Sequence, residues 1–167
     1  MMGLPGAGKT TAAKVIEEMT GAIRLTSDEA RVMIWDSPEF TEGEHQQLYE
    51  YLDDQTMHLL KAGKSVIYDA NLNRLEHRQE KYQLAQKLGI EVKLVWVRTP
   101  LEVARNRRIE DAHHHHLVTK NEDAESMFDR VARVIEEPQT DEPYIELDGT
   151  KITDGYVREK LSNTLQT

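Results

Sequence analysis

Near the start of this 167-residue chain, Gly3-Leu4-Pro5-Gly6-Ala7-Gly8-Lys9-Thr10 sets glycines, a lysine and a hydroxyl in the spacing G-x-x-x-x-G-K-[ST]. That pattern suits a polyphosphate. Glycines let the backbone curl until successive N–H groups point inward at phosphate oxygens, and a helix opening at the end of the run adds its partial positive charge. Lys9 reaches the outer phosphates as a point charge, and the Thr10 hydroxyl can ligate Mg²⁺. Gly3, Pro5, Gly6, Ala7, Gly8, Lys9, Thr10 and Thr11 are therefore the expected nucleotide-binding residues, with Thr10 the expected metal ligand.

Three further groups bear on whether the nucleotide has an acceptor. Asp28 follows a short apolar segment and lies three residues before Arg31. A carboxylate beyond the end of a parallel strand can take the proton of an attacking hydroxyl, and Arg31, one helical turn on, can hold an anionic or polar acceptor. The same Asp28 also fits a plain electrostatic partner of a helix N-terminus. Asp69 ends the apolar run Val66-Ile67-Tyr68 and is followed by Asn71 and Asn73. It can orient a magnesium-bound water, pair with Arg31, or simply open a turn. Arg105, Arg107 and Arg108 share one helical segment before a polar stretch, where a closing lid can bring a guanidinium to the transferring phosphoryl group, or a solvated face can carry them. The run His113 to His116 fits adventitious nickel or zinc binding, since four consecutive residues cannot by themselves set a coordination geometry. Tyr49, Tyr51 and His58 read as packing or surface residues.

The elements that must position these groups follow from periodicity. Ala12, Ala13, Val15, Ile16 and Met19 recur at helical spacing up to Gly21, a short strand covers 22–25, and Thr26 with Glu29 predicts a capping box for a helix to Trp35. Ser37-Pro38 breaks that helix, and a long one follows over 41–61, with Leu48, Leu52, Leu59 and Leu60 toward the core. A strand over 65–69, a turn at 71–73, a helix over 75–88, a strand over 92–97 and a helix opening after Pro100 come next. The histidine-rich stretch from Asp111 to Asn121 shows no core-facing pattern and reads as a mobile loop, so the lid spans about 105–121. A helix over 123–137, a strand over 144–147, the turn Asp148-Gly149 and a helix over 154–165 complete the chain. Strands alternating with helices imply an α/β fold, a parallel sheet covered on both faces in a single domain, 1–167. A phosphate loop should follow a central strand, yet only Met1 and Met2 precede Gly3. The expectation is a first strand truncated by a misplaced chain start, because removing a strand buried on both faces costs more than a domain's usual net stability of about 5–15 kcal/mol.

Composition narrows the partners. Lys and Arg number 21 against 30 Asp and Glu, giving a net charge of −9 and no match to a duplex-coating or membrane-surface protein. With no cysteine, thiolate metal sites, disulfides and cysteine nucleophiles are excluded. No apolar run approaches the roughly 20 residues of a membrane span, and no signal peptide pattern is present, so a soluble cytoplasmic protein is expected. The acidity is uneven: residues 91–108 carry five basic and two acidic side chains, residues 122–148 two basic and ten acidic. A local positive site for phosphates thus coexists with an acidic flank, and a polynucleotide acceptor would be met only at its end.

Taken in chain order, the phosphate loop, Ser27-Asp28-x-x-Arg31, Asp69-Ala70-Asn71 and the arginine helix make the sequence resemble the small P-loop kinases. That group includes the polynucleotide 5′-hydroxyl kinase domain, the zeta toxins and many uncharacterised kinases. The resemblance covers nearly the whole chain. It implies a nucleoside-kinase-like P-loop NTPase fold of three layers with a mobile lid, and transfer of the γ-phosphoryl group of ATP, with Mg²⁺, to a hydroxyl. The acceptor would be a polynucleotide 5′ end or a small molecule, with a sugar nucleotide as the zeta-toxin variant. Asp28 would be the general base, Arg31 the acceptor contact, Asp69 the acid that supports that arginine, Asn71 a further substrate-binding residue, and Arg105 the first lid arginine. The second lid arginine falls on Arg107 or Arg108, since Ile109 stands where the spacing of four would put it. A nucleotide-binding switch or slow hydrolase without a hydroxyl acceptor is the alternative from another class.

Overall fold

The computed structural model describes residues 1–115 and 123–165. In chain order its elements are α1 (Lys9–Thr20), β1 (Ile23–Thr26), α2 (Ser27–Ile34), α3 (Glu42–Lys61), β2 (Val66–Asp69), α4 (Leu75–Leu88), β3 (Leu94–Arg98), α5 (Leu101–His115), α6 (Ala124–Arg133), β4 (Tyr144–Asp148) and α7 (Asp154–Leu165). Local chemistry sets most of these limits. Gly21 and Gly89 close α1 and α4 in the left-handed conformation that costs a glycine nothing, and the side chains of Thr26, Thr41 and Asp123 cap α2, α3 and α6. The Thr26 cap is half a capping box: its Oγ1 accepts from the Glu29 N–H, while the Glu29 carboxylate turns to Arg24.

All strand pairing is parallel. β1 pairs with β2 and β3 with β4, and the two pairs are joined by the first two residues of the chain. The Met1 ammonium donates to the Tyr68 carbonyl of β2 at 2.8 Å, and Met2 exchanges 2.9 Å hydrogen bonds with Val95 and Val97 of β3. Met1 and Met2 therefore occupy the central position of the sheet, and Gly3 opens the loop directly from it. Where a longer strand would separate β2 from β3, an apolar cavity of about 330 Å³ lies between Val66, Ile67, Leu94 and Val95. Burial of the Met1 ammonium at its edge pulls that group's pKa down to about 6.

Helices cover both faces. Alternating residues of β2 divide between them: Ile67 packs into the cluster of α1 and α7, with Ala13, Val15, Val157 and Leu161, whereas Tyr68 faces Leu48 and Leu52 of α3. This is the three-layer α/β arrangement expected from the alternation of elements. Three boundaries differ from the pattern by more than one residue. β3 starts at Leu94 rather than Val92, and α6 stops at Arg133, after which Glu136 leaves the helix to donate its N–H to the Asn73 carbonyl. The stretch expected to be a loop from Asp111 is instead helical as far as His115, because α5 continues past the core without needing an apolar face. The expectation of metal binding by His113 to His116, and the rest of the expected lid, lie outside the side chains that are described. Among the described residues, no helix is long and apolar enough to cross a membrane.

Candidate active site

The loop curls at the carboxyl end of the central position and runs straight into α1. Gly6 has a φ of 74°, and a Cβ there would lie 2.2 Å from the Ala104 carbonyl oxygen of α5, so neither the conformation nor the space admits another residue. Gly8, at φ 99°, precedes α1, and no side chain caps that helix. Its first N–H groups are therefore left for a ligand, which fits a phosphate. Lys9 Nζ donates to the carbonyls of Gly3 at 3.0 Å and Leu4 at 2.9 Å. Burial pulls its pKa down to about 8 against the pull of Asp69 and Asp28.

The loop is held from behind by residues far away in the chain. Asn73 receives the Gly3 N–H on Oδ1 at 3.0 Å and donates from Nδ2 to the Gly3 carbonyl at 3.1 Å. Thr99 Oγ1 donates to the Ala7 carbonyl at 2.9 Å, which keeps Ala7 buried beneath the loop. Gly149 presses on the same spot: a Cβ there would stand 1.8 Å from Thr99 Oγ1 and 2.5 Å from the Ala7 oxygen. Arg107 then fastens the Gly149 carbonyl at 2.8 Å.

In front of the loop opens a cleft of about 710 Å³. Gly3, Pro5, Gly6, Gly8, Lys9, Thr10 and Thr11 form one wall; Asp28, Asp69, Asn71, Arg107 and Arg108 also line it. Asp28 is exposed in the first turn of α2, near enough to Lys9 for each charge to act on the other. The donor set suits Mg²⁺ bound jointly with phosphates: the Thr10 hydroxyl at the start of α1 with carboxylates across the cleft and, among the described residues, no cluster of side chains that would hold a metal without the phosphates. Arg108 fits the anion itself. Among the described residues its Nε is buried without a partner, and its Nη2 has only the Met127 sulfur at 3.5 Å. An orphan guanidinium N–H beside an uncapped helix end is the donor a phosphate oxygen satisfies.

Not every expected residue reaches the cleft. Arg105 points between α5 and α6, where it pairs with Asp129 and Glu125 over the Phe128 ring. Of the two arginines left open by the spacing, both line the cleft, but Arg107 is engaged by Gly149 and Arg108 keeps the unfilled donor. Asp69 pairs with Arg24 at 3.5 Å and not with Arg31. The register explains this: Thr26 stands beside Asp69 and Arg24 beside Ile67, so Arg24 and Asp69 are diagonal neighbours on one face. Arg24 also holds Glu17 at 3.3 Å and Glu29 at 2.8 Å. Arg31 lies outside the cleft lining, buried under the Phe40 ring at 4.5 Å, with Glu44 at 3.8 Å and its Nη1 without a hydrogen bond. Tyr49, which the sequence pattern assigns to packing, receives the Asn71 N–H on its hydroxyl at 3.3 Å, and burial pushes its pKa up to about 12.

Comparison with known proteins agrees with this geometry. A family model described as an AAA domain matches residues 1–138. No curated protein matches the sequence. Among solved structures, the APS kinase CysC of Mycobacterium tuberculosis, in complex with AMPPNP and APS, superposes with a TM-score of 0.73 at 20% identity over 99% of this chain and 95% of its own. A sugar kinase from Janibacter superposes at 0.65 and 19% identity, over 99% of this chain and 90% of its own. A gluconokinase from Sinorhizobium meliloti does so at 0.65 and 17% identity, over 99% and 89%. At these identities the likeness is one of fold, and that fold is the one the phosphate loop, parallel strands and flanking helices define. By its match over residues 1–138 the chain belongs to the AAA-domain family, with the fold of the small P-loop kinases.

Proposed function

We propose that the protein is an ATP-dependent kinase that moves the γ-phosphoryl group to a hydroxyl of a small acceptor. The observation that carries this reading is Asp28, an exposed carboxylate opposite the Lys9 ammonium in a cleft with an uncapped helix end and an orphan arginine donor. In the reaction, the acceptor hydroxyl gives its proton to the Asp28 carboxylate while its oxygen bonds to the γ-phosphorus. The bond from that phosphorus to the β,γ-bridging oxygen breaks, and ADP leaves. Lys9, the α1 N–H groups and Arg108 stabilise the charge carried by the equatorial and leaving oxygens. Thr10, together with the phosphates, would hold Mg²⁺, which when bound would supply neutralisation of phosphate charge.

The acceptor side favours a small molecule. Arg31 of α2 and Tyr49 of α3 lie within electrostatic reach of Asp28, and the Phe40 ring covers Arg31, a polar and aromatic setting of limited extent, while net charge −9 opposes a long nucleic-acid footprint. The fold neighbours include kinases named for a sugar, for gluconate and for APS, which supports the same class. A polynucleotide 5′ end and a sugar nucleotide remain within the chemistry and belong in the test panel. Incubating the protein with Mg-ATP and a panel of sugars, nucleosides, sugar nucleotides and 5′-hydroxyl oligonucleotides, then reading mass spectra, should find one class that gains a single phosphate. Asp28→Asn should lose that product while binding ATP as before. ATP turnover that no acceptor stimulates and that Arg31→Ala leaves unchanged would instead make the protein a nucleotide-binding switch or slow hydrolase.

A further inference from the structure

Asn73 is one of the most buried polar residues among those described, 2% exposed, at the inner edge of the cleft. Every polar group it owns is nevertheless engaged. Its N–H donates to Asn71 Oδ1 at 3.1 Å, closing the turn after β2. Its carbonyl accepts from the Glu136 N–H at 2.8 Å and from Arg78 Nη1 at 3.2 Å. Arg78, itself 1% exposed, is locked in turn by Glu142 at 2.7 and 3.0 Å and by the Leu72 carbonyl at 3.1 Å. The side-chain amide is thereby aimed at one place, the peptide groups of Gly3. The N–H of Gly3 must face an oxygen and its carbonyl must face an NH₂, so the orientation of the amide follows from its partners.

The Gly3 carbonyl is also where Lys9 rests. Its oxygen accepts two donors, Asn73 Nδ2 at 3.1 Å and Lys9 Nζ at 3.0 Å. When Lys9 turns to a nucleotide's phosphates it must release that oxygen, which lies in buried surroundings, and a buried carbonyl stripped of its donors is costly. We propose that Asn73 is a positioning residue for the phosphate loop, whose amide fixes Gly3 and keeps its carbonyl supplied with a donor so that Lys9 is free to leave for the nucleotide. The inference rests on the nucleotide-binding part of the reading above and adds a residue that acts through Gly3 and Lys9, its own polar groups being already engaged within the protein.

The test is a double-mutant cycle on ATP affinity. Asn73→Asp keeps the shape and the acceptor for the Gly3 N–H but removes the donor to the Gly3 carbonyl. It should weaken ATP binding by about tenfold or more. In a Lys9→Met background, where no ammonium has to leave Gly3, the same change should cost less than about threefold. Asn73→Leu, which carries no charge near the phosphates, should show the same dependence on Lys9, and it carries the test if Asn73→Asp does not fold. A role confined to holding the fold would lower the melting temperature and weaken ATP binding by the same factor in both backgrounds. That outcome, or wild-type affinity in both Asn73 variants, would overturn the proposal. Failure of the unsubstituted protein to bind ATP would instead remove the nucleotide reading on which it rests.

Discussion

The two ends of the cleft are built to different tolerances. At the nucleotide end, the segment from Gly3 to Lys9 is gripped by Asn73 from the turn after β2, by Thr99 from the end of β3, by Gly149 from the end of β4, and by the α5 carbonyl that fills the space over Gly6. At the acceptor end, Asp28 stands exposed in the first turn of a helix of eight residues whose outer side shows Val32 and Met33 to solvent. Beyond it, residues 35–41 are pinned chiefly by Glu44, which accepts the N–H groups of Glu39 and Phe40. Polyphosphate is one shape with one charge pattern, so a rigid backbone cradle in which only the Lys9 side chain has to turn serves every turnover. On the proposed reading an acceptor has to enter, be enclosed and leave, and that work would fall to the loosely held side.

The largest effect expected from this contrast is at Lys9. Removing the ammonium with Lys9→Ala should lower the transfer rate on the order of 10³-fold or more, since the reaction depends on charge placed where the phosphoryl group moves. Acceptor KM should hardly change, and steady-state kinetics with the acceptor found by mass spectrometry reads both quantities. An equal rise in acceptor KM would mean that the two ends are not separable.

Much of the nucleotide end is legible in the sequence because its determinants are local. Gly3 to Thr10 are contiguous, and caps or stops such as Thr41, Gly21 and Gly89 act on their own helices. What local pattern misses are the residues that grip the loop. Asn73 reads as a turn former, Thr99 as the residue before Pro100, and Gly149 as half of an Asp-Gly turn, yet their partners lie 70 to 142 positions away. Arg24 is missed for a related reason: a single arginine in a short strand gains meaning only when parallel register sets it diagonal to Asp69. Met1 and Met2 are too few to show a strand period and are recognised only by pairing with β2 and β3. The helical extension to His115 fails in the opposite sense, for a helix that leaves the core has no apolar stripe to announce it.

A smaller effect sharpens the electrostatics of the rigid end. Burial is the main cause of the Lys9 pKa near 8, with Arg108 adding to it and Asp69 and Asp28 opposing it. Phosphate favours the ammonium form, so ATP affinity should be flat below pH 8 and then fall by up to tenfold per pH unit. A solvated lysine would start that fall near 10.5. The free protein should move the other way. Its folded state penalises the charged lysine, so above pH 8 the unfolded chain holds the proton more tightly than the native one, and this group's contribution to stability rises with pH. Nucleotide titrations and melting curves between pH 7 and 9.5 test both signs.

The smallest effect belongs to the loose end, at Phe40. This residue, 46% exposed, holds a left-handed φ of 59° with its ring against the Arg31 guanidinium at 4.5 Å. The conformation costs a non-glycine residue about 1–2 kcal/mol. Phe40→Gly recovers that amount, but it gives up about 0.5–1 kcal/mol of cation–π contact and about 0.5–1 kcal/mol to the greater freedom of glycine in the unfolded chain. The substitution also removes about 1 kcal/mol or more of apolar burial from the half-covered side chain, so the melting temperature should fall by a few degrees, whereas ATP affinity should not change. Acceptor KM should nevertheless rise several-fold, because Arg31 loses the ring that covers it. A change in ATP affinity instead would show that the strain at Phe40 is coupled to the phosphate loop and that the cleft behaves as one unit.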